Sequence, residues 1–334
     1  MTSREPLLDV QNLTIEFPLS GRWTPVVQDV SFSIEAGQTV GLVGESGSGK
    51  TVTSLALLGL IQAQGARIAN GSIRFEGGDL AKFSESEFQR IRGERIGMIF
   101  QQPTRSLNPA YTVGEQIAET LRYHRGLSRH AAWNRAVELL DRVRIPQAAR
   151  RAAEYPHMFS GGMCQRVMIA MALACEPVLL IADEPTTALD VTVQAKILDL
   201  LRTIQSETGI SILFISHDLA VIAQMCAKVV VMYAGQVVEC ANAEQVFVTP
   251  MHPYTEGLLS AIPRPGQSSE LVAIPGNVPP PGTMPTGCRF HPRCDYHIAG
   301  RCDSIAPGPR LAGAERSARC LRIGEVNLKG IVLA

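Results

Sequence analysis

The stretch GESGSGKT, residues 44–51, matches the pattern G-x-x-x-x-G-K-[ST] at every fixed position. Glycines in such a loop let backbone N–H groups turn inward and surround phosphate oxygens. A helix that begins at the end of the loop adds the positive end of its dipole. The pattern predicts that Lys50 reaches the β- and γ-phosphates of a nucleotide and that Thr51 binds Mg²⁺. The expected nucleotide-contacting residues here are Gly44, Glu45, Ser46, Gly47, Ser48, Gly49, Lys50 and Thr51.

The segments around this loop alternate between strand-like and helix-like patterns. Residues 30–44 are typical of two strands around a turn, and a helix is expected from Ser48 onward. Short apolar runs at 95–101, 178–184 and 210–217 end in polar residues, as parallel strands buried on both faces do. The stretch from about 110 to 165 is largely helical in pattern. The sequence therefore predicts an α/β fold with a mainly parallel core sheet and a helical insertion.

Composition and charge limit the function classes. Lysine plus arginine and aspartate plus glutamate are both 31, so the formal net charge is zero. A neutral total argues against a nucleic-acid-binding protein, whose surface usually carries a basic excess. The longest apolar stretches, 52–61 and 167–175, are shorter than the roughly 20 residues of a membrane-spanning helix. With no signal peptide visible, we expect a cytosolic chain with reduced thiols that does not itself cross a membrane.

Acidic residues and a histidine follow two of the apolar runs. Asp183 ends the run LLIAD and Glu184 follows it, while His217 follows ISILFIS. Because parallel strands present their carboxyl ends at one edge, we expect these side chains near the phosphate loop. Asp183 would then hold Mg²⁺, and Glu184 would act as general base toward the attacking water. His217 would contact the γ-phosphate.

Together with FSGGMCQR, residues 159–166, these residues resemble the ATP-binding-cassette (ABC) ATPases over about residues 7–250. Gln101 matches the family's Q-loop, ALD at 188–190 its D-loop, and His217 its switch histidine. The resemblance implies a P-loop ABC ATPase fold with an antiparallel β subdomain and a helical subdomain at about 102–165. It also implies three catalytic residues, which are Glu184, His217 and Gln101, and places Gln101 on Mg²⁺ beside Thr51 and Asp183.

The same resemblance implies a head-to-tail pair of ATPase units. The signature of one chain, Ser160, Gly161, Gly162 and Met163, would cap the γ-phosphate held by the other chain's phosphate loop. Asp190 of the D-loop belongs to the same expected contact set. Phe17 lies near the position of the family's adenine-stacking aromatic residue, with Trp23 as a weaker candidate.

At subfamily level the chain resembles the ATPase subunits of bacterial oligopeptide/dipeptide importers, through 161–195, HPYTEGLLSAIPR at 252–264 and the GCRFHPRC segment. Such subunits pair, usually with a paralogue, beneath two transmembrane permease subunits. An extracytoplasmic solute-binding protein delivers the substrate to these permease subunits. The resemblance therefore implies a peripheral protein on the cytoplasmic face of the bacterial inner membrane. A nickel or other small-solute importer and a soluble, non-transport ABC ATPase are the alternatives. Cys164 departs from the subfamily, which commonly has arginine there.

A second unit is expected after the ATPase domain, giving an ABC nucleotide-binding domain at 1–250 and an extension at 251–334. The extension is rich in proline and contains Cys288, Cys294, Cys302 and Cys320. Clustered thiols in a reducing compartment favour a metal site over disulfides, and a small loop-rich unit needs such a staple. Spacing alone predicts a four-thiolate metal site and does not name the metal, with His291 and His297 as spare ligands.

Resemblance distinguishes between the metals. In importers of this subfamily the same cysteine pattern is associated with a [4Fe–4S] cluster, so we expect that cluster, with zinc as the alternative. Its role would be structural. The remaining cysteines, Cys175, Cys226 and Cys240, are expected to be small buried apolar residues.

Overall fold

The computed structural model describes residues 5–187, 189–262, 273–313 and 316–331. Backbone contacts divide the chain into two units. The first unit comprises Met1–Glu35, Thr39–Lys82 and Phe214–Ala334, as far as these ranges are described. The second unit comprises Ala36–Gln38 and Phe83–Leu213. The chain therefore leaves the first unit and later returns to it.

The bounds of the regular elements are as follows. The strands are β1 (Leu8–Leu19), β2 (Arg22–Ile34), β3 (Thr39–Val43), β4 (Arg67–Phe75), β5 (Gly78–Asp79), β6 (Ile96–Ile99), β7 (Leu179–Asp183), β8 (Ser211–Ser216), β9 (Lys228–Tyr233), β10 (Gln236–Asn242), β11 (Arg310–Leu311) and β12 (Ser317–Ala318). The α-helices are α1 (Lys50–Leu57), α2 (Glu85–Ile91), α3 (Pro103–Ser106), α4 (Val113–Arg125), α5 (Arg129–Arg142), α6 (Ala148–Arg151), α7 (Gly161–Ala172), α8 (Val191–Thr208), α9 (Leu219–Met225), α10 (Ala243–Val248) and α11 (Pro253–Ser260).

The first unit contains an antiparallel sheet with strand order β2-β1-β4-β5. Along β1, Leu8, Val10, Leu13 and Ile15 are buried, while residues between them are more exposed. This alternation is typical of a strand with one face on the core and one toward solvent. The register shifts between Val10 and Leu13, so the apolar set stays on one face although its spacing changes.

A second group of strands in the first unit runs in the order β11-β12-β10-β9-β3. β3 pairs with β9 in parallel, with Val43 opposite Val231, and β9 pairs with β10 in antiparallel. Every residue of β3 and β9 is buried. Uniform burial explains why these sequences are continuously apolar instead of alternating.

The second unit combines a parallel strand pair, β6 and β7, with most of the helices. Helices α4 and α5 begin at Thr112 and Ser128, whose hydroxyls accept hydrogen bonds from backbone N–H groups of the first turn. Gly126 ends α4 in the left-handed conformation that favours glycine. Among the helices that the structure describes, none has both the length and the apolar composition needed to cross a bilayer.

The part of the extension that the structure describes begins with α11 and then has little regular structure. Arginines attach it to the rest of the first unit: Arg289 donates to the Ala234 carbonyl and to Gln28, and Arg319 donates to Asp29. Both the α/β class and the helical insertion agree with the sequence analysis. These arginine contacts were not predicted from the sequence.

Glu239 of β10 is fully buried and offers a test of how α11 is attached. Its two carboxylate oxygens accept from the Met251 N–H at 2.8 Å and from the His252 N–H at 3.0 Å. Glu239→Ala leaves both donors without this acceptor, so we expect a loss of roughly 2–5 kcal/mol in the free energy of unfolding. Urea unfolding of the purified chain measures it.

The matched control is Glu244→Ala, an exposed glutamate in the first turn of α10. It contributes only to the helix dipole, so a loss below about 1 kcal/mol is expected. Equal effects of the two substitutions would contradict the role assigned to Glu239.

Candidate nucleotide site

The phosphate loop connects the end of β3 at Val43 to the start of α1 at Lys50. Gly44 has a φ of 150° and Gly49 a φ of 100°, and residues that carry a Cβ rarely adopt such backbone angles. At Gly44 an added Cβ would lie 2.1 Å from the Met232 carbonyl oxygen and 2.8 Å from Ser48 Oγ. Only glycine therefore allows the loop to fold this closely against β9.

Two polar side chains of the loop fit a phosphate group. Lys50 is buried, and its Nζ donates to the carbonyl oxygens of Gly44 at 2.7 Å and Glu45 at 3.0 Å. Ser48 Oγ is buried and has no hydrogen-bond partner among the residues that the structure describes. A buried hydroxyl without a partner is costly, and a phosphate oxygen would satisfy it. Thr51, in the first turn of α1, is exposed and open to a metal ion.

The remaining loop residues differ in exposure. Ser46 and Gly47 are exposed, whereas Glu45 is half-buried. The Glu45 backbone N–H donates to Tyr254 Oη at 2.8 Å, and its carboxylate forms an ion pair with Arg293 at 3.0 Å. Tyr254 and Arg293 both belong to the extension, and sequence reasoning assigned no role to either. In the sequence, the segments HPYT and HPRC, which contain these residues, indicate only the resemblance to the importer subfamily.

His217 and the candidate aromatic residues also lie in the first unit. His217 follows β8 directly and is exposed, and the next residue, Asp218, caps α9. Phe17 is half-buried in β1, opposite Thr24. The Arg67 guanidinium lies over the Trp23 ring, 4.2 Å from its centroid. This contact makes Trp23 the weaker candidate for stacking on an adenine ring.

The second unit carries the acidic residues. Asp183 ends β7 and is buried. Ile99 of β6 lies opposite Ala182 of β7, so the residues two positions beyond each, Gln101 and Glu184, reach the same edge. Gln101 Nε2 donates to Glu184 Oε2 at 2.9 Å. The parallel register therefore brings together two of the predicted catalytic residues.

Glu184 is fixed further by its own turn. Its φ is 47°, a sparsely populated angle for a residue other than glycine. Thr187 Oγ1 donates to the same Oε2 at 2.9 Å. Such local strain often accompanies functional sites. Sequence reasoning missed Thr187, although a hydroxyl three residues after an acid is a common partner in turns.

The signature segment begins α7. Ser160 occupies the cap position but makes no side-chain capping bond, and both Ser160 and Gly161 are exposed. An added Cβ at Gly162 would lie 2.5 Å from Val193 Cγ1 of α8. Met163 is half-buried, and Cys164 is buried with its thiol 3.6 Å from the Pro156 carbonyl oxygen. This end of α7 therefore has an exposed serine whose hydroxyl makes no capping bond.

Asp190 of the expected D-loop has a local structural contact. Its Oδ1 accepts from the Val193 N–H at 2.9 Å and so caps α8. Ala188, the first residue of the ALD segment, lies outside the described residues. A contact between Asp190 and a second chain remains a prediction.

The four cysteines of the extension line one cavity, together with His291, Phe290 and Tyr296. The Cys288 N–H donates to the Cys302 carbonyl at 2.8 Å. Burial raises the pKa of the Cys288 thiol to about 11 and that of Cys294 to about 12. Among the described residues, however, no three His, Cys, Asp or Glu side chains are placed to hold a metal ion. The expected metal site is therefore not confirmed. Cys175, Cys226 and Cys240 are buried, as predicted.

Two family models match this chain. The model described as ABC transporter matches residues 27–187. The model described as oligopeptide/dipeptide transporter, C-terminal region, matches residues 238–302. The second match begins within β10 and includes α11 and three of the four clustered cysteines.

Curated relatives extend the similarity over nearly the whole chain. A Brucella melitensis protein, named for peptide import and ATP binding, is 50% identical over 336 residues, which cover 97% of this chain and 99% of the relative. A Brucella abortus protein of the same description is 51% identical over 316 residues, which cover 94% of each chain.

Solved structures share the cassette fold. One is a dimeric ATP-binding cassette in a post-hydrolysis state, bound to ADP and Pi. It is 28% identical with a TM-score of 0.62, covering 71% of this chain and 98% of the other. Another is part of an ABC transporter complex from Clostridium perfringens, 27% identical with a TM-score of 0.62, covering 73% and 91% of the two chains. On its sequence, fold and relatives, the chain belongs to the ABC transporter family, as one of its ATPases.

Proposed function

We propose that this chain is the ATP-hydrolysing subunit that powers an ABC importer for dipeptides or oligopeptides. The observation that best supports ATP hydrolysis is the hydrogen bond from Gln101 to Glu184, the residue that directly follows Asp183. The peptide part is supported by the oligopeptide/dipeptide C-terminal match and by the names of the Brucella relatives. A nickel or other small-solute importer of the same family is the second candidate, because the ATPase chain does not select the solute.

The phosphate loop would bind the nucleotide through its backbone N–H groups, Ser48 Oγ and Lys50. Lys50 exchanges the Gly44 and Glu45 carbonyls for phosphate oxygens, a short movement of a flexible side chain. Thr51, Asp183 and Gln101 would hold Mg²⁺, which neutralises charge on the β- and γ-phosphates. Phe17 would stack on the adenine ring.

Glu184 would act as general base. Gln101 and Thr187 both donate to Oε2 of its carboxylate, and the carboxylate would accept a proton from the attacking water. Two donors on one oxygen also fix the orientation of the carboxylate, so little entropy is lost when the water binds. His217, exposed after β8, would donate to the γ-phosphate.

A second ATPase subunit would complete the site. The hydroxyl of the exposed Ser160, with Gly161, Gly162 and Met163 in the first turn of α7, would cap the γ-phosphate on the partner. Asp190 would lie at the same interface. The dimeric state of the cassette similar in structure supports this pairing. Whether the partner is a paralogue or an identical chain is decided by the importer's composition.

We further propose the domain division made from the sequence, with the nucleotide-binding domain at 1–250 and the extension at 251–334. The helical segment at about 102–165 would contact the two permease subunits at the cytoplasmic face of the membrane. An extracytoplasmic binding protein would deliver the solute on the other side. No role for nucleic acid is proposed.

The extension would hold a [4Fe–4S] cluster through Cys288, Cys294, Cys302 and Cys320. The convergence of all four thiols on one cavity with apolar walls supports this assignment. Among the described residues no group of three His, Cys, Asp or Glu side chains is placed to hold a metal ion, so the preference for the cluster over zinc rests on the resemblance to importers of this subfamily. The cluster would supply a covalent staple, with zinc as the alternative.

Glu184→Gln tests the hydrolytic role. The amide cannot accept the water's proton, so turnover should fall by roughly 10²–10⁴ while ATP still binds. ATPase rates of the assembled importer and equilibrium ATP binding are the measurements. Glu176→Gln is the control, because Glu176 is also a glutamate at positive φ but is exposed, and in the described contacts its carboxylate pairs only with Arg135. Near-normal turnover by Glu184→Gln would reject the assignment.

Iron and sulfide analysis of anaerobically purified protein tests the cluster. We expect about four irons and four sulfides per chain, with both lost in a Cys294→Ser Cys302→Ser variant. The control is Cys164→Ala Cys175→Ala, which removes two buried thiols of the second unit and should leave the iron unchanged. One zinc per chain would replace the cluster with a zinc staple, and absence of any metal would reject both.

A further inference from the structure

Glu45 is a carboxylate inside a loop that must accept several negative charges. It lies between Gly44 and Gly47 of the phosphate loop. Its backbone carbonyl accepts from Lys50 Nζ at 3.0 Å and from the Ser48 N–H at 3.2 Å. In this conformation of the loop, a shift of Glu45 would therefore disturb both Lys50 and Ser48. Its side-chain charge, if uncompensated, would also repel the nucleotide.

Arg293 of the extension compensates that charge. Its Nη1 and Nη2 each donate to one Glu45 carboxylate oxygen at 3.0 Å, which is the bidentate geometry of the strongest such pairs. The Arg293 side chain is only 6% exposed, against 30% for Glu45. Nε of Arg293 donates to the Pro275 carbonyl at 2.7 Å, which fixes the plane of the guanidinium group.

A second contact from the extension fixes the backbone of the same residue. Tyr254 Oη of α11 accepts from the Glu45 N–H at 2.8 Å. The Tyr254 ring packs on Tyr233 at 4.7 Å and on Phe290 at 5.4 Å, both measured between ring centroids. Tyr254 is fully buried. The extension therefore holds both the side chain and the backbone of Glu45.

We propose that Arg293 is a positioning residue of the nucleotide site, which neutralises Glu45 and keeps the phosphate loop in its binding conformation. The extension would thereby take part in ATP binding from a distance of 248 residues along the chain. This inference rests on the proposed function, since it needs the loop to bind ATP. A purely structural arginine would stabilise the extension without acting through Glu45.

The test is a double-mutant cycle on the full chain, with Arg293→Met, Glu45→Gln and the combination, read as the dissociation constant for ATP. Arg293→Met leaves the Glu45 charge uncompensated, so ATP binding should weaken roughly tenfold. Glu45→Gln removes the charge that Arg293 neutralises. The combined variant should therefore bind ATP within about threefold of wild type, which is a large coupling between the two sites.

Arg301→Met is the matched control. Arg301 also precedes a cavity cysteine and pairs in bidentate fashion with a glutamate, Glu325, at 2.7 and 3.0 Å, but among the described residues none of its contacts reaches the phosphate loop. Its loss should leave ATP affinity unchanged. Arg293→Lys retains the positive charge but cannot make the bidentate contact to Glu45, so we expect a smaller loss of ATP affinity than in Arg293→Met. In the assembled importer, KM for ATP should rise more than kcat falls.

The outcomes separate the two proposals. If wild-type protein binds no ATP, the proposed function fails. If wild type binds ATP but Glu45→Gln does not rescue Arg293→Met, or Arg301→Met weakens binding equally, the role of Arg293 is structural and the inference is overturned. Thermal unfolding of each variant identifies any that fails to fold, and in that case the cycle is repeated with Arg293→Lys, for which a smaller coupling of the same sign is expected.

Discussion

The nucleotide site depends on a close approach between two backbones. A Cβ at Gly44 would overlap the Met232 carbonyl of β9, so the phosphate loop can lie against that strand only without a side chain. The parallel pairing of β3 with β9 sets this approach, because Val43 and Val231 lie opposite each other just before it. The Gly235 N–H then donates to the Ser48 carbonyl at 3.0 Å. The turn after β9 therefore forms part of the loop's support, before any ligand is present.

Parallel register has the same effect in the second unit. A carboxylate buried within a strand needs hydrogen-bond donors, which Glu239 of β10 has, whereas the acidic pair of the second unit comes at the end of β7, where Asp183 is the last residue and Glu184 follows. Since β6 and β7 are in parallel register, Gln101 and Glu184 reach the edge together, and their hydrogen bond follows from the pairing of Ile99 with Ala182. Chemical groups on neighbouring strands meet because strand ends meet, which is the general rule for open α/β sheets.

Sequence reasoning succeeded where the signal was local. The phosphate loop and the buried strands are each encoded within about ten residues, by glycines and apolar runs, whereas the helix expected from Ser48 onward begins at Lys50. The partners of Glu45 were not foreseen, because Tyr254 and Arg293 follow it by 209 and 248 residues and neither position carries a periodic pattern. Cysteine spacing predicted convergence but not geometry, since a loop-rich segment has no regular rise that converts sequence separation into distance.

The composition of the extension explains why it touches the nucleotide site. The described part of the extension has little regular structure and buries few large apolar side chains, so arginines help to attach it, with stems that pack and guanidinium groups that donate hydrogen bonds. Buried guanidinium groups are costly without partners. Arg289 donates to the Ala234 carbonyl in the turn after β9, and Arg293 donates to Glu45 in the phosphate loop. Two of the contacts that attach the extension are thus made to the phosphate loop and to the turn that supports it. The packing of the extension therefore constrains the conformation of the loop.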